Sequence, residues 1–511
     1  MASASNQAVL DGSRQSRERA ALQTSPATRF SVSLLVGGQS LDAFSGATFE
    51  RSSPVTGDVV TVAAAASLDD AIAAANAAAT AFPDWSQSSP SFRRALLEKA
   101  ATSLLAREAD FTGAMMAETG ATAAWCAFNV HLSAKILIEA GAMTTQVGGS
   151  VIPTDMSGKT SFAWRQPAGV CLAIAPWNAP VILGTRSIAM ALACGNTVVL
   201  KASELCPATH RLIGDVLVEA GFPAGVINII SNAPADASDI VEALIAHPVI
   251  RRINFTGSTR VGRIVAQTAA KYLKRCLLEL GGKAAFIVLD DADLDGAVKA
   301  AAFGAYFNQG QICMSTERII VMDAVADAFI EKFLDKVRML RAGDPERGHL
   351  PLGSLVSAES ARRVRGLIDD ALAKGASLLT GGDNHDAFMD AAVIDHVTRP
   401  MRIYREESFG PVAAIIRVGS VDEAITVAND CEYGLSGAVF GRDIGRALDV
   451  ARRVESGICH INSATVADEP QIPFGGVKAS GYGKFGGPAA LDEFTELRWI
   501  TISSGKGEYP I

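Results

Sequence analysis

From Gly169 onward, short apolar runs alternate with stretches of helical spacing, and this alternation leaves few folds open. Val170–Ile174, Thr197–Leu200, Val226–Ile230, Arg252–Phe255 and Cys276–Leu280 read as buried strands. Between them Ala179–Ala193, Ala208–Glu219, Asp236–Ala246 and Gly262–Leu273 read as helices, the first with Pro180 in its opening turn. Strand–helix repetition of this kind builds a parallel sheet covered on both faces. A second series starts at Ala284–Val288 and runs past Gly410-Pro411, so an α/β chain with two doubly wound, Rossmann-like domains is expected. The chain has 511 residues, a length that suits two or three domains. Further helical runs cover Leu68–Ala81, Phe92–Ala106 and Leu132–Thr145. Gly148-Gly149-Ser150 breaks the last pattern. Val151–Arg165 then reads as a hairpin, and Phe494–Ile502 as a terminal strand.

Composition narrows the functions. The formal net charge is −8 and no basic block occurs, which disfavours nucleic acid and anionic membrane surfaces as partners. No apolar run reaches the ~18 residues of a membrane span. Eight cysteines lie scattered without a CxxC pair, as in a reducing compartment. The seven histidines have no metal-ligand spacing, and no metal site is expected. Residues 1–28 are rich in Ala, Ser, Gln and Arg and lack the apolar core of a signal peptide. They read as a disordered head on a cytoplasmic protein.

Four segments carry chemistry. Cys313 ends Phe307-Asn308-Gln309-Gly310-Gln311-Ile312-Cys313. The glycine and amides suit a turn feeding a helix, where the dipole would favour a thiolate. Glu279-Leu280-Gly281-Gly282-Lys283 puts a carboxylate at a strand end, which in an open α/β sheet faces the ligand crevice. Ala175-Pro176-Trp177-Asn178 follows another strand. Phe255-Thr256-Gly257-Ser258-Thr259-Arg260-Val261-Gly262 reads as strand, turn and helix start, a place for free N–H groups to meet a pyrophosphate.

Together these segments resemble the aldehyde dehydrogenase superfamily. Gly195-Asn196-Thr197-Val198-Val199-Leu200-Lys201, Arg318, Glu407-Ser408-Phe409-Gly410-Pro411 and Pro473-Phe474-Gly475-Gly476-Val477-Lys478 complete the match, in the family's order, from about residue 30 to 505. The resemblance implies that Cys313 is the nucleophile, that Asn178 and the Cys313 N–H form the oxyanion hole, and that Glu279 activates water against a thioester. It implies a dinucleotide site at Ile174, Pro176, Trp177, Lys201, Ser203, Glu204, Phe255, Thr256, Gly257, Ser258, Val261, Leu280 and Gly281. Glu407 and Phe409 would clamp the nicotinamide end. A carboxylate at Glu204 favours NAD over NADP, because it repels a 2′-phosphate. Two departures stand out: Lys201-Ala202-Ser203-Glu204 lacks the usual proline, and Asn232-Ala233-Pro234 replaces a glycine-rich turn at the adenine end. An acylating enzyme that delivers the thioester to coenzyme A is the nearest rival, and Glu279 argues against it.

Gly457–Tyr482 and Ala179–Met190 resemble the branch of the family that oxidises benzaldehyde, vanillin and salicylaldehyde. A substrate tunnel is then expected at Trp125, Leu183, Arg186, Phe307 and Ile312. Arg186 either donates to a phenolic or carboxylate oxygen or pairs with a protein group, and Trp125 either stacks on a ring or packs a core. The implied division is an NAD-binding domain at 29–146 and 166–280, a catalytic domain at 281–484, and an oligomerisation element at 147–165 and 485–511. In that element the terminal strand would pair with the hairpin across subunits of a homodimer or homotetramer.

Overall fold

The computed structural model describes residues 30–348, 350–504 and 511. The head at 1–28 and residues 505–510 of the tail lie outside them. The fold is the expected one: two doubly wound α/β units and a small β element.

The first sheet has eight strands. Five of them run parallel: Arg275–Glu279, Ile250–Thr256, Val170–Ile174, Thr197–Lys201 and Ile227–Ile230. The chain enters at Val170–Ile174, winds outward through Thr197–Lys201 and Ile227–Ile230, then returns to build the other side. The order therefore reverses between Val170–Ile174 and Ile250–Thr256, and a crevice opens outside the carboxyl ends of strands at such a point. These strands are long enough only to be buried, and every residue of Val170–Ile174 and Thr197–Lys201 is. The edge strand beyond Arg275–Glu279 is Gly481–Tyr482, which pairs Glu279 with Gly481. A Cβ at Gly481 would come within 2.0 Å of the Leu278 carbonyl oxygen, so only glycine permits this approach.

The second sheet has seven strands, with Thr316–Met322 between Val412–Val418 and Ala284–Val288. The loops that precede Thr316–Met322 and Val412–Val418 carry Cys313 and Glu407. They face the carboxyl edge of the first sheet, as Gly282 bonded to Glu407 attests.

Three expectations need correction. The helix placed at Leu132–Thr145 runs over Ala123–Met143, with Thr122 accepting from the Trp125 N–H at its start. A further helix, Glu108–Thr119, was not anticipated; it shows little separation of apolar and polar faces and ends at the left-handed Gly120. The terminal strand, Thr495–Ser503, pairs antiparallel with Lys159–Pro167 of its own chain, not across subunits. The helix Gly487–Phe494 brings it back, and Arg252 holds the turn by donating to the Glu493 and Thr495 carbonyls.

Candidate active site

Two cavities meet at Cys313. One, of about 440 Å³, is lined by Asn178, Leu183, Ser258, Glu279, Leu280, Gly281, Cys313, Glu407 and Phe409. Through Pro176, Trp177, Thr256 and Gly257 it joins a cleft of about 570 Å³ that holds Ile174, Lys201, Ser203, Glu204, Phe255 and Val261. The other, of about 300 Å³, lies across the thiol and is lined by Trp125, Phe128, Asn178, Leu183, Arg186, Phe303, Ile312, Cys313, Asp468 and Phe474. All expected site residues border these spaces except Phe307. Its ring packs edge-on against Trp125, with centroids 5.0 Å apart, so it stands behind the wall. Phe128, Phe303, Phe474 and Asp468 were missed. They come from three separate segments, the helices at Phe128 and Phe303 and the loop that carries both Asp468 and Phe474, and no local spacing relates the three.

The loop around Cys313 is not a helix start, contrary to expectation. Asn308 and Gln309 adopt left-handed backbone, with φ of 49° and 56°, and the chain passes from a 3₁₀ turn at Phe307–Gly310 into the strand Thr316–Met322. Gly310 is required there, because a Cβ would meet the Gly410 carbonyl oxygen at 2.2 Å. Ser315 locks the turn from the other side, its hydroxyl donating to the Gly310 carbonyl at 3.1 Å. Without a helix dipole the thiol is not acidic: burial, and then the neighbouring Glu279 charge, push the Cys313 pKa well up.

Asn178 is held from three sides. Its side-chain amide donates to the Gln311 carbonyl at 2.9 Å. Its own carbonyl accepts from Trp125 Nε1 at 2.9 Å and Asn308 Nδ2 at 3.0 Å. Trp125 thus lines the cavity and also fixes the asparagine. Glu279, at the end of its strand, is 1% exposed, and no nitrogen or oxygen donor reaches either carboxylate oxygen. Burial pushes its pKa up to about 7; the Cys313 thiol and Arg186 oppose this and Asp468 adds to it. Such a carboxyl is poised to exchange a proton near neutrality.

Glu407 accepts from the Gly282 N–H at 2.8 Å, and burial raises its pKa to about 8. Its loop is set by Glu317, which accepts from the Ser408 and Phe409 N–H groups and pairs with the buried Lys283. That grip holds Phe409 in left-handed backbone, with φ of 46°, and its ring edge-on to Trp177. In the larger cleft Lys201 pairs with Glu204, and Asn232 Nδ2 donates to the same carboxylate oxygen at 3.2 Å. Arg186 is also paired: it binds Asp468, and its guanidinium lies over the Phe474 ring at 4.5 Å. Of the two expectations for Arg186, the structure meets the second, pairing with a protein carboxylate.

Residues 42–500 match the model of the aldehyde dehydrogenase family. The chain belongs to that family. A vanillin dehydrogenase of Pseudomonas fluorescens is 60% identical over 480 residues, covering 94% of this chain and 99% of that protein. A salicylaldehyde dehydrogenase of Pseudomonas putida is 51% identical over 478 residues, covering 93% and 99%. Among solved structures, a salicylaldehyde dehydrogenase from Pseudomonas putida complexed with salicylaldehyde superposes with a TM-score of 0.93 at 50% identity, covering 94% of this chain and all of that one. As an aldehyde dehydrogenase, the chain is an oxidoreductase. Among the described residues no helix is long and apolar enough to cross a membrane, and no group of side chains is arranged to hold a metal ion.

Proposed function

We propose that this aldehyde dehydrogenase oxidises an aromatic aldehyde to its carboxylate, with NAD as cofactor and a covalent intermediate on Cys313. The observation that carries the substrate class is the cavity of about 300 Å³ beside the thiol, walled by the rings of Trp125, Phe128, Phe303 and Phe474. The names of the relatives agree with it.

The larger cleft fits a dinucleotide. Gly257 lies at a strand-to-helix turn where a Cβ would strike the Phe255 ring at 2.6 Å, and at Gly281 a Cβ would meet Glu407 at 2.7 Å. Both positions therefore need glycine for packing, and both line the cavity, so their backbone borders the space a ligand would fill. Lys201 and Glu204 would hold the adenosine ribose, the start of the helix Thr259–Lys271 the pyrophosphate, and Glu407 with Phe409 the nicotinamide end. When bound, the cofactor supplies the hydride acceptor.

The residues of the chain do the rest. Cys313, as a thiolate whose proton has gone to solvent, attacks the carbonyl carbon. The oxyanion is met by Asn178 Nδ2 and the Cys313 N–H. Oxidation of that carbon leaves a thioester. Glu279 then takes a proton from water, which displaces the thiol and releases the carboxylate.

The function is tested by ranking kcat/KM for benzaldehyde, its ring-substituted forms and straight-chain aldehydes. Benzaldehydes are expected to lead; acetaldehyde outperforming them all would overturn the substrate class. Cofactor choice is a separate expectation. Because both observed contacts of Glu204 engage one oxygen, the carboxylate can still accept from a ribose hydroxyl. NAD should be preferred to NADP by at least about tenfold, or ~1.4 kcal/mol, and Glu204→Gln should narrow the ratio. Equal efficiency with both cofactors in the unaltered enzyme would refute this.

We also propose a homodimer or homotetramer in the cytoplasm. On the small β element Val151, Trp164 and Ile502 are exposed on one face and Ile152, Leu497 and Trp499 on the other, Trp499 to 78%, and so much uncovered apolar surface is a liability in a monomer. Light scattering at micromolar concentration should give a multiple of the chain mass, and a stable monomer would exclude it.

A further inference from the structure

Asp468 is an unusual wall for an aromatic pocket. Its side chain is 8% exposed and borders the cavity of about 300 Å³ together with Cys313, Phe128, Phe303 and Phe474. One carboxylate oxygen, Oδ2, accepts from Arg186. The other, Oδ1, is buried and receives no hydrogen bond. Arg186 therefore explains why a charge is tolerated here, but it satisfies only half of the carboxylate. A buried acceptor without a donor is unfavourable, and the neighbouring cavity walls are largely apolar side chains with no N–H or O–H to lend.

We infer that Asp468 Oδ1 is the acceptor for a hydroxyl group on the substrate's ring. This rests on the aromatic-aldehyde reading and sharpens it to phenolic benzaldehydes. A neutral aryl hydroxyl is a donor of the right kind, carried on a body that the surrounding rings accept. An aldehyde bearing a carboxylate is the wrong kind, since Arg186 is already paired and the free oxygen would repel it. A methyl ether is also wrong, because it can accept but not donate. A site built around a buried acceptor rejects ligands lacking the donor more sharply than an apolar pocket separates two sizes.

The experiment compares hydroxy- and methoxybenzaldehydes at the ortho, meta and para positions in the unaltered enzyme and in Asp468→Asn. In the variant the amide must turn its carbonyl to Arg186, since its NH2 cannot accept from a guanidinium. A donor then stands where the free acceptor stood. At one ring position the unaltered enzyme should favour hydroxyl over methoxy by about ten- to a hundredfold in kcat/KM, and Asp468→Asn should bring that ratio near one. A merely structural role would lower all substrates alike and leave the ratio untouched, which would overturn the inference. Should the variant fail to fold, inhibition of the unaltered enzyme decides: phenol is expected to compete at least about tenfold more tightly than anisole, and equal inhibition would overturn it. Straight-chain aldehydes outranking benzaldehyde would instead fell the underlying reading, a result visible in the unaltered enzyme before any variant is made.

Discussion

Cys313→Ala is expected to abolish aldehyde oxidation, and Glu279→Gln to release one equivalent of reduced cofactor per site and then stop. The two outcomes differ because the proposed chemistry has two halves. Without the thiol no covalent adduct forms, and steady turnover by Cys313→Ala would refute the nucleophile. Without the carboxylate the thioester forms but water is not activated. Thiolate formation survives the second substitution, because the Glu279 charge is one of the influences that hold the thiol protonated; removing it relieves that repulsion. Rapid mixing should record the burst, and mass spectrometry of the stalled protein should find the acyl group on Cys313. Unimpaired steady turnover by Glu279→Gln would remove Glu279 from its role. The same carboxyl sets a pH dependence. With its pKa pushed up to about 7 by burial, the base form is scarce below that value and dominant above it. Deacylation should rise with pH through about 7 and level off above. A flat profile between about pH 6 and 8 would contradict the assignment.

Asn178→Ala is expected to lower kcat by about 10²- to 10³-fold with a much smaller change in KM. Loss of one donor to a developing oxyanion costs this much in comparable sites, and the cost falls on the transition state rather than on substrate binding. Truncation should not move the main chain, because the Asn178 carbonyl stays anchored by Trp125 and Asn308. Asn178→Asp should be worse than alanine, since a carboxylate would oppose the oxyanion directly. Steady-state kinetics with benzaldehyde checks both variants. A loss of less than about tenfold for Asn178→Ala would mean that the amide does not serve the oxyanion.

Much of the scaffold was legible because its signals are local. Val170–Ile174 and Ala284–Val288 were read with both ends correct, and Pro180–Ala193 to within one residue; the two strands are wholly buried apolar runs, and the helix is buried throughout and mostly apolar. Asn178 and Glu279 could be placed in the crevice because each sits at or just after the carboxyl end of such a strand. The turn before Cys313 was misread because its geometry depends on left-handed Asn308 and Gln309, residues that a helix start would also accept. The substrate wall was the least legible part. Arg186 was visible as an anomaly, but its partner Asp468 lies 282 positions away, and only the folded chain could say that the two neutralise each other.

The pairing of Gly481–Tyr482 with Arg275–Glu279 has a mechanical consequence. The short strand belongs to the chain that leaves the second sheet, yet it is hydrogen-bonded into the first, directly beside Glu279. Ser480 doubles the stitch by donating to the Gly281 carbonyl at 2.6 Å and accepting from the Gly434 N–H at 2.9 Å. The two large units therefore cannot swing apart like a book along this seam without tearing the strand that carries the carboxylate. The placement of Glu279 relative to the second unit, which carries Cys313, is therefore set by main-chain hydrogen bonds across the seam and not by side-chain packing alone.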